Sequence, residues 1–455
     1  MAEVKRIVHS GAMENGTLKP YRLIPPVTAL LLLGAHGLRL GDFGLAASLA
    51  LLAGLLCARR AWARPVAVAA LLWGGFVWAR ATVDFIAFRQ AFDLPWQRLA
   101  WIMGGVILMD GLALMVLLGR GLDRWFDRDR EWAVPRAAMF LLTVFGLVMA
   151  RAKVDFPILL ADRYLPGWGW LEIFLLGCYA QWIGSMMRTP KGHRMVRPRI
   201  WGLFSAVFFL QLALGLLGMD RMLMTGTLHL PVPALIAAGP VFRGGGYFML
   251  VLFGATLLLV GPAWCSHLCY IGAWDDAMSR LGPRPAPSNV LRSLSLLGRG
   301  ATLVLAVGVA WGLRVLGVPG ASAVLLGAAF GLVGVGVMVF VSRGRGMMVH
   351  CTAFCPMGLV GNVLGRISPW RIRIGADCTG CGACFSRCRY NALDEGRVAL
   401  GRPALSCTLC GDCVSACAHG RIGYVFPGLS RETARAAFIV LAVSLHAVFL
   451  GVARI

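Results

Sequence analysis

Apolar runs long enough to cross a lipid bilayer recur along the whole chain. Hydrophobic residues make up 58% of the 455 residues and charged residues only 14%, whereas soluble proteins carry about 25% charged residues. We interpret these runs as eleven membrane spans, at 22–38, 42–58, 65–79, 99–119, 134–150, 167–187, 200–219, 245–264, 300–317, 321–341 and 435–453. Several runs are shorter than the ~20 residues of a straight span, and the first two also fit one re-entrant hairpin. The sequence predicts a polytopic membrane protein, and its polar, basic start predicts no cleavable signal peptide.

The basic residues, which give the chain a net charge of +23, are concentrated in alternate loops. They cluster before the first span and after the second, fourth and sixth, whereas intervening loops such as 80–98 hold fewer and balance them with acids. The positive-inside rule then predicts an inner (cytoplasmic) membrane protein whose N-terminus and segment 371–427 are cytoplasmic and whose C-terminus is outside. Attraction to anionic headgroups explains most of this charge, so we expect membrane lipid and not nucleic acid as its partner.

Eight of the fourteen cysteines form two runs of identical spacing near the C-terminus. Each run reads C-x2-C-x2-C-x3-C, the ligand pattern of bacterial ferredoxins that hold two [4Fe–4S] clusters. In this pattern three cysteines of a run bind one cluster and the fourth binds the other. We therefore assign one cluster to Cys378, Cys381, Cys384 and Cys417, and the second to Cys407, Cys410, Cys413 and Cys388. A reducing cytoplasm fits cysteines that bind iron rather than form disulfides.

Two further cysteine pairs lie where predicted spans end. Cys265 and Cys269 close the eighth span, and Cys351 and Cys355 follow the tenth. A C-x3-C spacing places both thiols on one face of a helical turn, and both pairs are predicted to be cytoplasmic. We predict that the four thiols converge into one site for a further iron–sulfur cluster or a soft metal ion such as Cu(I) or Zn. The alternative is simple packing of small side chains.

The membrane thiol pairs and the double cysteine run together resemble the NosR/NapH/CcoG group of membrane polyferredoxins. The resemblance extends over roughly 195–427 and includes the strings GPAWCSHLCYIGAWD and VHCTAFCPMGLVGN. Members typically have C-x3-C-P at both sites, whereas here Pro356 follows the second pair and Tyr270 follows the first. The resemblance implies electron transfer between a quinone pool or cytoplasmic donors and partner reductases, or the handling of redox metals.

An internal repeat precedes this region. The segment 79–85 (ARATVDF) matches 150–156 (ARAKVDF), which indicates a two-span hairpin used twice. Asp110 aligns with Gln181 deep in a span, and an acid inside the membrane is a candidate functional site; the alternative is that it pairs with an arginine or the backbone. A candidate proton or quinone site combines Asp110 with residues that also fit plain i,i+4 ion pairs: Arg80 with Asp84, and Arg151 with Asp155.

These patterns predict an all-α polytopic membrane bundle of about eleven spans with a small α+β two-cluster ferredoxin module. We expect an N-terminal membrane domain with the repeat (1–194), a membrane domain with both C-x3-C sites (195–370), the ferredoxin module (371–427) and a last span (428–455). The predicted function is that of a membrane iron–sulfur electron-transfer protein, a quinol dehydrogenase-like subunit whose partners are a quinone and redox proteins. The alternative is thiol-based binding and reduction of copper or iron for metallocofactor assembly.

Overall fold

The computed structural model of the chain describes residues 20–127, 130–223 and 230–452, so the predictions for the first residues and for Ile455 lie outside it. Most of the described residues are helical. The helices are α1 (Ile24–Arg39), α2 (Phe43–Cys57), α3 (Ala63–Ala91), α4 (Gln97–Leu118), α5 (Ala133–Lys153), α6 (Leu160–Tyr164), α7 (Gly169–Met186), α8 (Pro190–Leu216), α9 (Leu235–Arg243), α10 (Phe248–Val260), α11 (Tyr270–Arg280), α12 (Asn289–Val315), α13 (Gly320–Gly336), α14 (Arg343–Arg345), α15 (Pro356–Leu364), α16 (Glu395–Ala399), α17 (Asp412–Ala416) and α18 (Arg431–Val452). Two strands, β1 (Arg371–Ile374) and β2 (Ile422–Val425), lie near the C-terminus.

Within the described residues, eight helical segments are long and apolar enough to cross a membrane. They comprise α3, α4, α5, α8, α12 and α18, together with Phe248–Leu268 and Gly320–Arg345, and each overlaps a predicted span. The predicted count of eleven is not confirmed, because three predicted spans correspond to shorter helices. With 16 and 15 residues, α1 and α2 are about 24 and 22 Å long, less than the ~30 Å of bilayer hydrocarbon. The third, α7, has 18 residues and carries Glu172 near its start.

The chain divides into two compact units, Met1–Ala133 and Val134–Ile455. In the described part of the first unit, α1 packs against α2 and α4, and α3 packs against α4. Leu30, Leu33 and Leu71 are fully buried between these helices. Arg64 joins the start of α3 to the end of α4, because its Nε donates to the carbonyl of Leu117 at 2.7 Å. The first unit is therefore a small helical bundle with its own apolar core.

The repeated hairpin corresponds to α3 and α4 in the first copy and to α5 and α7 in the second. The copies differ in where their first helix ends. The first helix of the second copy, α5, ends at Lys153, and Asp155 lies exposed beyond it. The predicted i,i+4 pair between Arg151 and Asp155 is therefore wrong. Arg151 instead pairs with Asp162, with 2.8 Å between Nε and Oδ2.

The second unit carries the double cysteine run on a small sheet. Strand β1 pairs antiparallel with β2, with Arg371 opposite Val425 and Ile374 opposite Ile422. This pairing brings the two ends of the module together, so that α18 follows directly and packs against β2. The Trp370 indole donates to the carbonyl of Leu259 in α10 at 2.8 Å. The module is thus fixed to the ends of α10 and α18.

Candidate iron–sulfur centres

The two C-x3-C motifs have the same backbone structure. Each lies in a π-helical turn, Trp264–Leu268 in the first and His350–Phe354 in the second. The second cysteine of each pair leaves the turn in an extended conformation, with ψ of 112° at Cys269 and 117° at Cys355, and becomes the N-cap of α11 or α15. The predicted relationship between the two motifs therefore extends to their local folding.

The N-cap position gives each of these cysteines backbone donors. The sulfur of Cys269 accepts from N–H groups of α11, and that of Cys355 accepts from N–H groups of α15. Tyr270 and Pro356 occupy the same first position of these helices. Proline suits that position because its N–H would have no helical partner. Tyr270 instead stacks on Phe208, with ring centroids 4.0 Å apart, so the missing proline leaves the turn unchanged.

The four thiols of the two motifs lie close enough to interact electrostatically. Burial raises the pKa of Cys269 to about 12, and the nearby charge of Cys355 adds to this effect. Burial also raises the pKa of Cys351 well above its usual value, as do the charges of Asp275, Cys355, Cys269 and Cys265. A bound cation reverses this trend, because it stabilises thiolates. The arrangement is therefore suited to a positively charged metal centre.

One buried cation and one buried acid flank these thiols. Arg299 of α12 is 2% exposed, and its charge lowers the pKa of Cys355 against the effect of burial. Its Nη1 donates to Oδ1 of Asn362 at 2.7 Å. On another side, the carboxylate of Asp275 accepts from the backbone N–H of Cys351 at 2.9 Å, and burial raises the pKa of Asp275 to about 6. Residues from α11, α12 and α15 thus converge on the thiols.

A cluster and a single ion differ in how closely the thiols must approach one another. A single zinc ion draws its thiolates in to bonds of ~2.3 Å, whereas a [4Fe–4S] cluster binds each thiolate at a different iron atom. Across the described ranges, no group of three or more His, Cys, Asp or Glu residues is gathered as it would be around one metal ion.

The two runs of the ferredoxin module also repeat each other's backbone. Left-handed residues occupy the third and fifth positions of each run, namely Gly380 and Gly382 in the first and Leu409 and Gly411 in the second. These turns coil the chain around the side of each run that carries the thiols. At Gly411 a side chain would also meet the Tyr424 hydroxyl at 2.6 Å. Glycine is thus required there by both conformation and space.

The fourth cysteines, Cys388 and Cys417, occupy equivalent positions outside these turns. The sulfur of Cys388 accepts from the N–H of Ala392 at 3.2 Å, and that of Cys417 accepts from the N–H of Arg421 at 3.3 Å. Hydrogen bonds to sulfur are one of the means by which proteins tune the potential of a cluster.

The structure brings together the cysteines of each predicted ligand set. Burial raises the pKa of Cys384 to about 11, and the neighbouring charges of Cys378, Cys381 and Cys417 contribute. One small cavity is lined by all four cysteines of the other set: Cys388, Cys407, Cys410 and Cys413. In both sets the fourth cysteine comes from the opposite run. The donor chemistry and placement fit two four-thiolate clusters.

A short buried contact joins the first C-x3-C motif to the second ferredoxin run. Ser266, inside the motif, donates from its hydroxyl to the carbonyl of Thr408 at 2.8 Å. Tyr390 donates to the carbonyl of Cys265 at 3.3 Å. The Tyr390 ring is 2% exposed and belongs to an apolar cluster that Cys351, Cys388 and Cys410 pack against. The membrane thiols and the second cluster set therefore share a wall.

Arg197 of α8 is the buried cation of this junction, a role that the sequence did not reveal. Its side chain is fully buried, and Nη1 donates to the carbonyl of Ser266 at 3.0 Å. Its Nη2 lies 3.2 Å from Asp412 in the ferredoxin module and 3.5 Å from Asp276 in α11. In the sequence Arg197 belongs to one of the basic loop clusters and is not distinguished from its exposed neighbours.

Buried histidines were also missed by the sequence reasoning. The Nε2 atoms of His193 and His267 are 3.3 Å apart, and His446 hydrogen-bonds the hydroxyl of Tyr179 at 3.0 Å. These residues come from four helical segments separated by up to 267 positions, so no local periodicity links them. Only the position of His267 between Cys265 and Cys269 indicated that it lies near the site.

The candidate proton or quinone residues are distributed over both units and do not form one described group. In the first unit, Asp110 is 3% exposed against Gly75 of α3, and its Oδ1 has no hydrogen-bond partner among the described residues. Arg80 and Asp84, also in the first unit, form an exposed pair at 3.8 Å. In the second unit, Gln181 accepts from Arg136 at 2.8 Å. Among the described residues, an arginine thus bonds Gln181, which aligns with Asp110 in the repeat, whereas no arginine bonds Asp110 itself.

A comparison with protein families supports 4Fe–4S binding. The family model of a 4Fe-4S binding domain matches residues 243–287 and 326–375. These segments contain the two C-x3-C pairs and end before Cys378, so the match falls on the membrane thiols. No curated protein and no solved structure gives a significant match. Together with the span-like helices, the match fits a membrane iron–sulfur electron-transfer protein.

Proposed function

We propose that the chain links a quinone pool or a cytoplasmic donor to a partner redox enzyme, as a membrane-bound iron–sulfur electron-transfer subunit. The observation that carries this proposal is the buried junction of Ser266, Thr408 and Tyr390 between the membrane thiols and the second ferredoxin run. When bound, iron–sulfur clusters accept and release single electrons. The resemblance to the NosR/NapH/CcoG group supports the same function.

In this proposal twelve cysteines hold three centres. The two ferredoxin sets hold [4Fe–4S] clusters, and Cys265, Cys269, Cys351 and Cys355 hold a third. Each set contains one buried thiol, since Cys384, Cys413 and Cys355 are all less than 9% exposed, and Cys381 is the exposed member of the first set. Low solvent access is one of the factors that set a cluster potential.

Arg197 and Arg299 have a second part in the proposal. Both guanidinium groups are buried, and both lie near thiols of the proposed centres: Arg197 near Cys410, and Arg299 near Cys265, Cys355 and Cys351. A buried positive charge stabilises added negative charge strongly, because the local dielectric constant is low. Arg299, which bonds the neutral Asn362 and the carbonyl of Ser295, therefore favours the reduced state of the centre beside it, whereas the charge of Arg197 is offset by Asp276 and Asp412.

The two ends of the proposed path are placed by the predicted topology. With the ferredoxin module in the cytoplasm, the C-x3-C thiols lie between that module and the membrane helices. Quinone would bind at the helices, and Asp110 is the candidate proton acceptor because it is buried with a free carboxylate oxygen. A redox protein would exchange electrons at the exposed Cys381 side of the module.

The test is an EPR redox titration with iron analysis of the full chain, purified without oxygen. We expect about four iron atoms per centre and reduction of the centres by a quinol or by a low-potential cytoplasmic donor. Cys388→Ser should alter the cluster of Cys407, Cys410 and Cys413, whereas Cys178→Ser, a lone thiol in α7, should alter none. Centres that dithionite reduces but neither donor reduces would refute the proposed link. Loss of the Cys378 signal in Cys388→Ser would refute the crossed ligands.

The alternative function is copper or iron handling, in which the same four membrane thiols would bind a soft metal ion. Copper that co-purifies with the chain and is lost in Cys265→Ser would favour this function over electron transfer.

A further inference from the structure

A cationic cavity of about 470 Å³ lies beside the ferredoxin module in the second unit. One wall is formed by Cys407 of the ferredoxin module, and another by Asn362 of α15. Five arginines complete the lining: Arg366, Arg371, Arg373, Arg397 and Arg402. Cavities of this size hold small organic ligands. The cavity thus gathers five arginines at one place, with Arg371 and Arg397 partly buried and the other three exposed.

The arginines of this cavity are not neutralised by the protein. Of the residues that line it, none is acidic. Burial lowers the pKa of Arg371, and the adjacent charges of Arg373 and Arg366 lower it further. Asp394, the carboxylate near Arg397, is already bound by Arg292. An anion in the cavity would relieve this repulsion between guanidinium groups.

Asn362 supplies an independent indication of a ligand. It is 4% exposed, and its Oδ1 is used by Arg299. Its Nδ2 has no hydrogen-bond acceptor in the described part of the chain. A buried amide without a partner is costly. This free N–H donor adds to the guanidinium groups of the lining, of which that of Arg371 already bonds the backbone carbonyls of Arg366, Ser368 and Trp370.

We propose that this cavity binds the phosphate group of an anionic ligand. Guanidinium groups bind phosphate oxygens in a bidentate manner, and the charged and amide side chains of this otherwise largely apolar lining are arginines and Asn362, with no acid, which favours an anion with several acceptor oxygens. Two sources supply this chemistry. Pro262 and Gly365 line the cavity just beyond the ends of α10 and α15, where a phospholipid headgroup is within reach, and a soluble phosphate compound is the other source.

The cavity also gives such a ligand a position beside the redox centres. Cys407 is in its wall, and Asn362 is bonded to Arg299, which interacts with Cys265 and Cys355. If the proposed clusters are present, a bound phosphate should lower the reduction potential of the cluster held by Cys407, because negative charge disfavours reduction. This consequence rests on the proposed function; phosphate binding itself does not.

The test measures pyrophosphate binding by calorimetry on the full chain in nanodiscs of phosphatidylcholine. We expect Arg366→Gln/Arg402→Gln to weaken binding at least tenfold, because two charged donors are lost. Asn362→Asp should weaken it as well, since it keeps the acceptor for Arg299 and replaces the free donor with a negative charge. The control is Arg343→Gln/Arg345→Gln, which removes equal charge at the exposed end of α14 and should leave binding unchanged.

Nanodiscs that contain phosphatidylglycerol separate the two sources. Competition by this lipid with pyrophosphate would identify the headgroup, and unchanged pyrophosphate binding would identify a soluble phosphate. The proposal is overturned if the wild-type chain in phosphatidylcholine does not bind pyrophosphate. It is also overturned if the control weakens binding as much as the cavity variants, or if Asn362→Asp and the double variant both bind like the wild type. None of these readouts depends on electron transfer, so a failure here leaves the proposed function untouched.

Discussion

The two C-x3-C turns have the same backbone but contact different parts of the molecule. In the first, the residue after the leading cysteine is Ser266, whose hydroxyl reaches the carbonyl of Thr408 in the ferredoxin module. In the second, the equivalent Thr352 donates back to the carbonyl of Met348 in its own segment. The second turn is held instead by α12, where Thr302 donates to the carbonyl of Phe354 at 2.7 Å. The first turn is thus hydrogen-bonded to the ferredoxin module by its own side chain, whereas the second turn only packs against the module, through Cys351 at Tyr390, and is hydrogen-bonded to a membrane helix.

This difference shows how a duplicated unit acquires two roles. The backbone of the turn supplies the thiols in both copies, and the residues between the cysteines decide what each copy touches. The second turn approaches α12 so closely that a side chain at Gly298 would lie 2.5 Å from the carbonyl of Ala353. Such contacts fix the position of Cys351 and Cys355. The first turn, in contrast, is hydrogen-bonded to the ferredoxin module through Ser266. The following predictions test this division.

The largest effect is expected when one thiol of either turn is removed. If the pairs share one centre, Cys265→Ser and Cys351→Ser should each abolish that centre and lower the iron content by about four atoms per chain. Both ferredoxin signals should remain in the EPR spectrum, and the lone Cys178→Ser should serve as the unchanged control. Loss of iron in one variant but not in the other would show that the two turns bind separately.

Replacement of Arg197 by methionine should have the next largest effect. This variant keeps much of the side-chain volume but leaves Asp276 and Asp412 with the partly exposed Arg280 in place of their fully buried cation, and broken buried pairs typically cost about 3–5 kcal/mol. The matched control is Arg280→Met, because Arg280 contacts the same two acids but is 31% exposed. We expect the thermal unfolding midpoint to fall much further in Arg197→Met. Equal shifts would show that burial of Arg197 is not what joins the first turn to the module.

The sequence predicted the donors of the site better than their surroundings. The regular spacing of the cysteines indicated both ferredoxin sets and the two related turns, since such spacings reflect local backbone geometry. The number of spans was predicted less well, because α1 and α2 are short and α7, with 18 residues, carries Glu172. Arg197, Arg299 and Tyr390 could not be found in this way. Their partners lie as many as 215 positions away, and only the tertiary fold brings them together.

Asp275 links the two turns, and its ionisation should make stability depend on pH. It lies in the helix after the first turn and accepts from the N–H of Cys351 in the second. Burial raises its pKa from 3.8 to about 6. The folded protein therefore holds this proton more tightly than the unfolded chain, and the resulting stability is lost as the pH rises through 6. At about 1.4 kcal/mol per pKa unit, the wild type should lose roughly 1.4 kcal/mol between pH 5 and pH 7.5 relative to Asp275→Asn.

The measurement is the thermal midpoint of both proteins in detergent at these two pH values. The asparagine variant retains an oxygen that can accept from Cys351 but cannot ionise in this range. A pH dependence that is identical in the two proteins would mean that Asp275 does not ionise in this range, or that the two turns separate before unfolding.

The smallest effect, and the most direct comparison of the two turns, comes from Ser266→Ala and Thr352→Ala. Both variants remove one hydroxyl from a buried turn, and a buried hydrogen bond contributes about 1 kcal/mol. Ser266→Ala breaks the bond to Thr408 and leaves that carbonyl without this donor. Electron exchange between the centre proposed at the membrane thiols and the clusters of the ferredoxin module should therefore slow. Thr352→Ala breaks only the bond to the nearby carbonyl of Met348. The stability loss of this variant should therefore be similar or smaller, and its electron-exchange rate should equal that of the wild type.

Freeze-quench EPR after rapid reduction measures the exchange, and thermal unfolding measures the stability. If the two variants slow exchange equally, the first turn has no special connection to the module, and the difference between the copies is one of packing alone.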